Sequence, residues 1–237
     1  MKDRYFGDVY DYIKYSLLRQ LANSKGASTA VCWMLTEDEG GKDGHRTHYL
    51  RKPDEWRSFE PTVFDFLRRQ VLERKNRRVR AIEKSSVLRH CRFYSKVLTD
   101  DRVQRERYFH EFLPFAHGTD LVFFDPDNGV EVRSVKYGRR KSAKYLYWNE
   151  IESTIRANHS VLIYQHLPPQ PHGPLIRSLA MRLLRSSRSG VVYSIRTGRV
   201  AFFLVPRRGA RSHFQKRVSM VGKSWDSVLT VREYRRS

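Results

Sequence analysis

Cysteine is scarce. Only Cys32 and Cys91 occur in the 237 residues. Two thiols build neither a disulfide framework nor, alone, a metal cluster. Both sit among apolar or aromatic neighbours, so a reduced, cytoplasmic chain is expected. Long apolar runs are missing too. No stretch approaches the ~20 apolar residues of a membrane-spanning helix, and Met1-Lys2-Asp3-Arg4-Tyr5 is not followed by the apolar core of a signal peptide. No membrane partner is expected. Acidic residues are few beside basic ones, 25 against 46, for a formal charge of +21. That exceeds the ~2–8 units that keep a small domain soluble. Such an excess attracts polyanions, and arginine, which dominates it, has a planar fork suited to phosphate. Nucleic acid, DNA or RNA, is the expected partner, with salt-sensitive binding. Repeats and low-complexity linkers are absent as well. The chain therefore reads as one α/β domain over 1–237, with basic insertions near 74–92 and 131–144 and a basic tail over 207–237.

What is present is a series of short buried strands separated by helices. The most informative is Leu121, Val122, Phe123 and Phe124, which runs straight into Asp125-Pro126-Asp127-Asn128-Gly129. An unalternated, β-rich apolar run predicts a strand covered on both faces, as in a parallel sheet. Pairing stops at Pro126 and the chain turns at Asn128-Gly129. Ligands of open α/β sheets bind past the carboxyl ends of such strands. The plainer reading is an Asx-rich turn closing a core strand. Upstream, residues 6–22 predict a helix capped by Asp8, with Val9, Tyr10, Ile13, Leu17, Leu18 and Leu21 at helical spacing. Asp11 and Lys14 have the spacing of an ordinary surface pair. Residues 28–35 predict a second buried strand that enters an acidic, glycine-rich loop, Thr36 to Gly44. Glycines there let a backbone approach a ligand, and a carboxylate can take ribose hydroxyls; a solvated loop is the alternative.

Further along, the pattern predicts a helix over 61–74 and a short strand over 78–83 with Glu83 at its carboxyl end. Residues 92–98 read as a strand or a helix start, followed by a helix over 100–115. After Gly129, Arg133, Lys136, Arg139, Arg140, Lys141 and Lys144, interleaved with Tyr137 and Tyr145, form a basic, aromatic-bearing loop suited to nucleic acid. A helix over 145–157, a strand over 160–166 ending in Gln165-His166, and a helix over 174–186 come next. His166 is either catalytic or a structural strand-end histidine. Strands over 190–196 and 200–206 form a hairpin at the end of the sheet, and the tail beyond is partly irregular. The alternation predicts a Rossmann-like, mostly parallel sheet with helices on both faces and a C-terminal antiparallel hairpin.

In that frame the chain resembles Rossmann-like S-adenosylmethionine-dependent methyltransferases, nearest to the bacterial ribosomal-RNA adenine-N6 methyltransferase family. That family opens with Gly-Asn-x-x-Asp-Val-x-Lys-His, and Gly7-Asp8-Val9-Tyr10-Asp11-Tyr12-Ile13-Lys14-Tyr15 keeps the spacing of Gly, Asp and Lys. The family's Asp-Pro-Pro-Tyr corresponds to Asp125-Pro126-Asp127-Asn128. The resemblance implies that Gly7, Asp8, Asp11 and Lys14 border S-adenosylmethionine. It implies that Thr36, Glu37, Glu39, Gly40 and Gly41 cradle it and that Glu83 holds its ribose. Asp125 and the Pro126 carbonyl would accept the two hydrogens of an exocyclic amine, adenine N6, on an unpaired or flipped base. The family's stacking aromatic is absent at Asn128, which leaves Tyr137, Tyr145 or Trp148 to serve, and the cofactor loop lacks Gly-x-Gly. No resident metal is expected on this reading.

Two other readings use the same residues. Asp125 and Asp127, with Glu131 or Glu39, have the hard oxygen ligands that suit Mg²⁺ and phosphodiester cleavage. Alternatively, the chain keeps a methyltransferase-like fold and acts without catalysis, as a nucleic-acid binder or the partner subunit of another protein.

Overall fold

A computed structural model describes residues 1–22, 28–37, 40, 44–169 and 171–236. In chain order the elements are α1 (Val9–Ala22), β1 (Thr29–Cys32), α2 (Pro53–Trp56), α3 (Pro61–Arg68), α4 (Arg80–Glu83), β2 (Cys91–Tyr94) and α5 (Arg102–Ala116). They continue with β3 (Leu121–Phe124), β4 (Gly129–Val130), β5 (Tyr145–Leu146), α6 (Trp148–Arg156), β6 (Ser160–His166) and α7 (His172–Ser186). The chain closes with β7 (Val191–Arg196), β8 (Val200–Val205), α8 (Arg211–Ser224) and β9 (Thr230–Arg235). Seven strands form one sheet in the order β2-β1-β3-β6-β8-β7-β9. Pairing is parallel from β2 through β6 and antiparallel from β6 onward. This is the expected α/β architecture, a mostly parallel central sheet with helices around it and antiparallel strands at the C-terminal side. Among the described residues no helix is long and apolar enough to cross a membrane.

Both faces of the sheet are buried, and strand parity decides which side chain goes where. In β3, Leu121 and Phe123 enter one core with Tyr12, Tyr15 and Leu18 of α1, while Val122 and Phe124 enter the other with Phe112 of α5 and Ile151 of α6. Fully burying each phenylalanine is worth roughly 1.5–3 kcal/mol, so β3 is firmly seated. The same parity points Asp125 toward α1.

Three expectations change. Residues 78–83 contain no strand: Arg80–Glu83 is a helical turn, and Val79 and Ile82, three apart, are the buried pair. Six residues are too few to separate a period of two from one of three. The hairpin of β7 and β8 is not the sheet's end, because β8 inserts between β6 and β7 and β9 adds a further edge. The tail is regular: Phe214, Val218, Val221 and Trp225 recur at helical spacing and are buried, a stripe hidden in the sequence by the lysines and arginines between them. The helix over 61–74 exists, with its last turn widened to π geometry over Arg69–Glu73.

Short parallel pairing of β4 with β5 joins the two ends of the basic segment. Asn128 N–H donates to the Lys144 carbonyl at 2.9 Å and Glu131 N–H to that of Leu146 at 2.9 Å. Arg105 of α5 anchors the returning end. It is fully buried, forms a bidentate pair with Glu150 at 2.7 and 2.9 Å, and donates to the carbonyls of Ser142 and Tyr145. Arg105→Met leaves Glu150 buried without its cation and is expected to cost roughly 3–5 kcal/mol in urea unfolding. The double variant Arg105→Met/Glu150→Leu should recover part of that loss. Equal losses in the single and double variants would show that the pair does not act as a unit.

Candidate functional site

Strand β3 delivers Asp125 to the carboxyl edge of the sheet, and α1 delivers Lys14 opposite it. Asp8 caps α1, its Oδ1 accepting from Tyr10 N–H at 3.1 Å while Oδ2 accepts from Arg46 N–H at 3.1 Å. Gly7, just before the cap, has φ +82°, and a Cβ there would meet Val71 Cγ2 at 2.4 Å. Only glycine permits this entry to the helix. Six residues after the cap, Lys14 donates to Asp11 Oδ1 at 2.8 Å and to Asp125 Oδ2 at 2.7 Å. The alternative of an ordinary surface pair does not hold: Asp11, Lys14 and Asp125 are all buried. Asp11 Oδ2 also accepts from Gly7 N–H and Tyr15 Oη. The ring of Tyr164, adjacent in β6, lies 5.2 Å from the Lys14 ammonium.

These groups line a cavity of about 250 Å³. Its walls include Asp8, Asp11 and Lys14 from the start of α1, all four residues Asp125, Pro126, Asp127 and Asn128, and Tyr5, Tyr10, Arg46, Tyr164 and His166. The Met1 amino group closes one side, 2.7 Å from Asp127 Oδ1 and 3.2 Å from the Asp125 carbonyl. Gly129 makes the turn tight enough: its φ is +113°, and a Cβ would fall within 2.5 Å of the Gln165 amide. Gln165 ties the turn down, accepting from Val130 N–H and donating to the Asn128 carbonyl.

The electrostatics follow from burial. Desolvation raises the carboxyls of Asp8, Asp11 and Asp125 above their ordinary value, with Lys14 opposing the rise at all three. Lys14 itself loses from burial but is held above its usual value by Asp11 and Asp125. Asp127 differs: burial pushes it up, yet the Met1 amino group and the Thr36 hydroxyl hold it below the ordinary range.

The remaining sequence-predicted residues separate. Thr36 donates to Asp127 Oδ2 at 3.1 Å, and Thr36 and Glu37 line a second cavity together with Arg140, Lys141 and Lys144. Gly40 is exposed, with nothing within 4 Å of a Cβ built there; Glu39 and Gly41 lie outside the described residues. Glu83 is not at a strand end. It accepts from Trp33 Nε1 and Ser95 Oγ and lines neither cavity. Arg133, Lys136 and Arg139 are exposed and line neither cavity. Tyr137, Tyr145 and Trp148 do not line the first cavity. Tyr137 packs edge-on against Tyr147, and Trp148 is buried beneath the Arg182 guanidinium at 4.0 Å. The rings at the first cavity belong instead to Tyr5, Tyr10 and Tyr164. Tyr10 and Tyr164 were legible only as members of apolar runs. His166 does reach the cavity mouth. Among the described residues no group of three or more His, Cys, Asp or Glu is arranged to hold a metal ion.

No family model matches the chain, and no curated protein matches it. A solved structure, protein LPL1258 from Legionella pneumophila, described by the family-model DUF519, is similar at 12% identity, over 98% of each chain, with a TM-score of 0.48.

Asp11 and Asp125 carry raised pKa values, so their protonated forms favour the fold; that contribution is complete below the ordinary carboxylate value and is lost as pH climbs through the raised ones. Lys14 limits the loss. Lys14→Met strips the shared cation from two buried carboxylates and is expected to cost roughly 3–5 kcal/mol near neutral pH. The deficit should be largest on the alkaline side of the raised carboxyl values and shrink as pH falls through them and the carboxylates protonate. Thermal melts across that range test this, and a deficit independent of pH would contradict it.

Proposed function

We propose that the protein is an S-adenosylmethionine-dependent methyltransferase that modifies an exocyclic amine, adenine N6, of a base in nucleic acid. The observation that carries this reading is the contact of Lys14 Nζ with Asp125 Oδ2 at 2.7 Å. It joins two segments, 111 positions apart, that the family resemblance assigns independently to cofactor and target amine. The cavity beside them also has the right chemistry for a cationic cofactor. Asp8, Asp11, Asp125 and Asp127 line it against two buried ammonium groups, Lys14 and Met1, with Arg46 exposed at the mouth. Excess buried carboxylate favours a positive ligand. When bound, S-adenosylmethionine supplies an electrophilic methyl group on a sulfonium.

The chain's own contribution is positioning. Asp125 Oδ2 is taken by Lys14, which fixes the carboxylate plane and leaves Oδ1 to accept one hydrogen of the target amine. The Pro126 carbonyl accepts the other. Lys14 is a positioning residue: it holds Asp125 in place, and its charge opposes the rise that burial imposes on that carboxyl. Tyr5 and Tyr10 supply the aromatic faces that Asn128 lacks, and Asn128 instead spends its backbone on Lys144, His166 and Gln165. A nuclease would need Asp125 and Asp127 to exchange their ammonium partners for a hard cation, which makes methyl transfer the better use of the same carboxylates.

Isothermal calorimetry with S-adenosylmethionine is expected to show binding to the wild type and, within about threefold, to Asp125→Asn. Transfer of labelled methyl to nucleic acid should fall at least ~100-fold in that variant, the scale of losing one transition-state hydrogen bond. No heat at millimolar cofactor with folded protein, or magnesium-dependent nicking abolished by Asp127→Ala, would overturn the reading.

A further inference from the structure

The second cavity, of about 360 Å³, opens at the carboxyl ends of β1 and β2. Its charge is opposite to that of the first. Lys2, Arg140, Lys141 and Lys144 face Glu37 and Asp100 across it. Asp100 is occupied in building the wall: it accepts from the backbone N–H groups of Lys141 at 2.6 Å and Ala143 at 2.7 Å. That grip holds Lys141 at φ +72°, in the left-handed region. Arg140 and Lys141 are exposed, and no ion pair within the described residues engages either side chain. Lys2 is buried, and its charge acts on Asp127.

The two cavities meet at one hydrogen bond. Thr36, on the wall of the basic cavity, donates to Asp127, on the wall of the acidic one. Thr36 follows β1 and Asp127 follows β3, the neighbouring strands between which the sheet's order reverses. Ligands of open α/β sheets bind at such a switch point. Adjacent strands lie about 4.8 Å apart, so the two cavities are within reach of a single nucleotide.

We infer that the basic cavity seats a phosphodiester of the nucleic-acid strand whose base enters the acidic cavity. The assignment rests on the methyltransferase reading above and adds to it a requirement: the substrate is a strand bearing phosphate beside the target, not a free base or nucleoside. The acidic cavity takes the cationic cofactor and the neutral base. The basic cavity takes the anion, with the guanidinium of Arg140 and the ammonium of Lys141 on its rim.

Fluorescence anisotropy with a short labelled single-stranded oligonucleotide tests this. Arg140→Gln/Lys141→Asn removes two charges, and asparagine tolerates the left-handed backbone at 141. Arg211→Gln/Lys216→Gln removes two exposed charges from α8, which lines neither cavity. The cavity variant is expected to bind at least tenfold more weakly, with the slope of log affinity against log salt reduced by about 1.4, while the α8 variant changes less than threefold. Equal weakening in both variants would mean a diffuse field rather than a site, and no weakening in the cavity variant would equally overturn the assignment. Calorimetry with S-adenosylmethionine on the cavity variant separates the two claims. Cofactor binding retained with no oligonucleotide discrimination removes the phosphate site alone, whereas a wild type that never binds cofactor removes the reading beneath it.

Discussion

The ion pair of Lys14 with Asp125 is the constraint around which the site is arranged. Burying two carboxylates and one ammonium costs several kcal/mol per ion before any attraction is counted. That cost is offset only if the geometry is held, and the fold holds it from three directions. Parity along β3 aims Asp125 at α1, with Phe123 and Phe124 seating the strand in the two cores. The Asp8 cap and the left-handed Gly7 fix where α1 begins and so where Lys14 falls. Asp11, one turn back, accepts the second hydrogen bond of the ammonium and is itself braced by Tyr15 and Gly7.

The distribution of charge gives the overall excess of positive charge a more specific form. Acidic groups, outnumbered in the sequence, concentrate at the switch between β1 and β3, where they are buried and share few cations. Basic groups from the segment after β4 gather one strand away. Arg105, buried with Glu150, ties down the returning end of that segment and so sets where Arg140 and Lys141 stand. On the proposed function, the net charge would draw in a polyanion and the local separation of signs would orient it.

Much of this was legible in the residues, for definite reasons. Mostly apolar, unalternated runs marked β1, β3 and β6, because strands buried on both faces carry few polar side chains. Asp125 at a strand end, Asp8 as a cap and the basic loop all follow from local rules. What local rules miss is the long-range partner. The spacing of Asp11 and Lys14 is the same for a surface pair and a buried one; only Asp125, over a hundred residues away, decides. Residues 78–83 read as a strand because a single helical turn mimics a short one, and Glu83 at the end of that turn accepts from Trp33 and Ser95. Tyr164 carries a strand's apolar signature while its ring faces Lys14. The tail was obscured by its own charge: a helix whose apolar stripe is a minority of its residues looks irregular.

The central claim is that the space between Lys14, Arg46 and Asp125 receives the cofactor, with Asp125 presented to the target amine. A crystal structure of the protein with S-adenosylhomocysteine tests it most directly. The account predicts the sulfur beside Asp125, at the floor of the acidic cavity, with the Lys14–Asp125 contact retained. A ligand bound elsewhere, or divalent metal bridging Asp125 and Asp127 in its place, would contradict it.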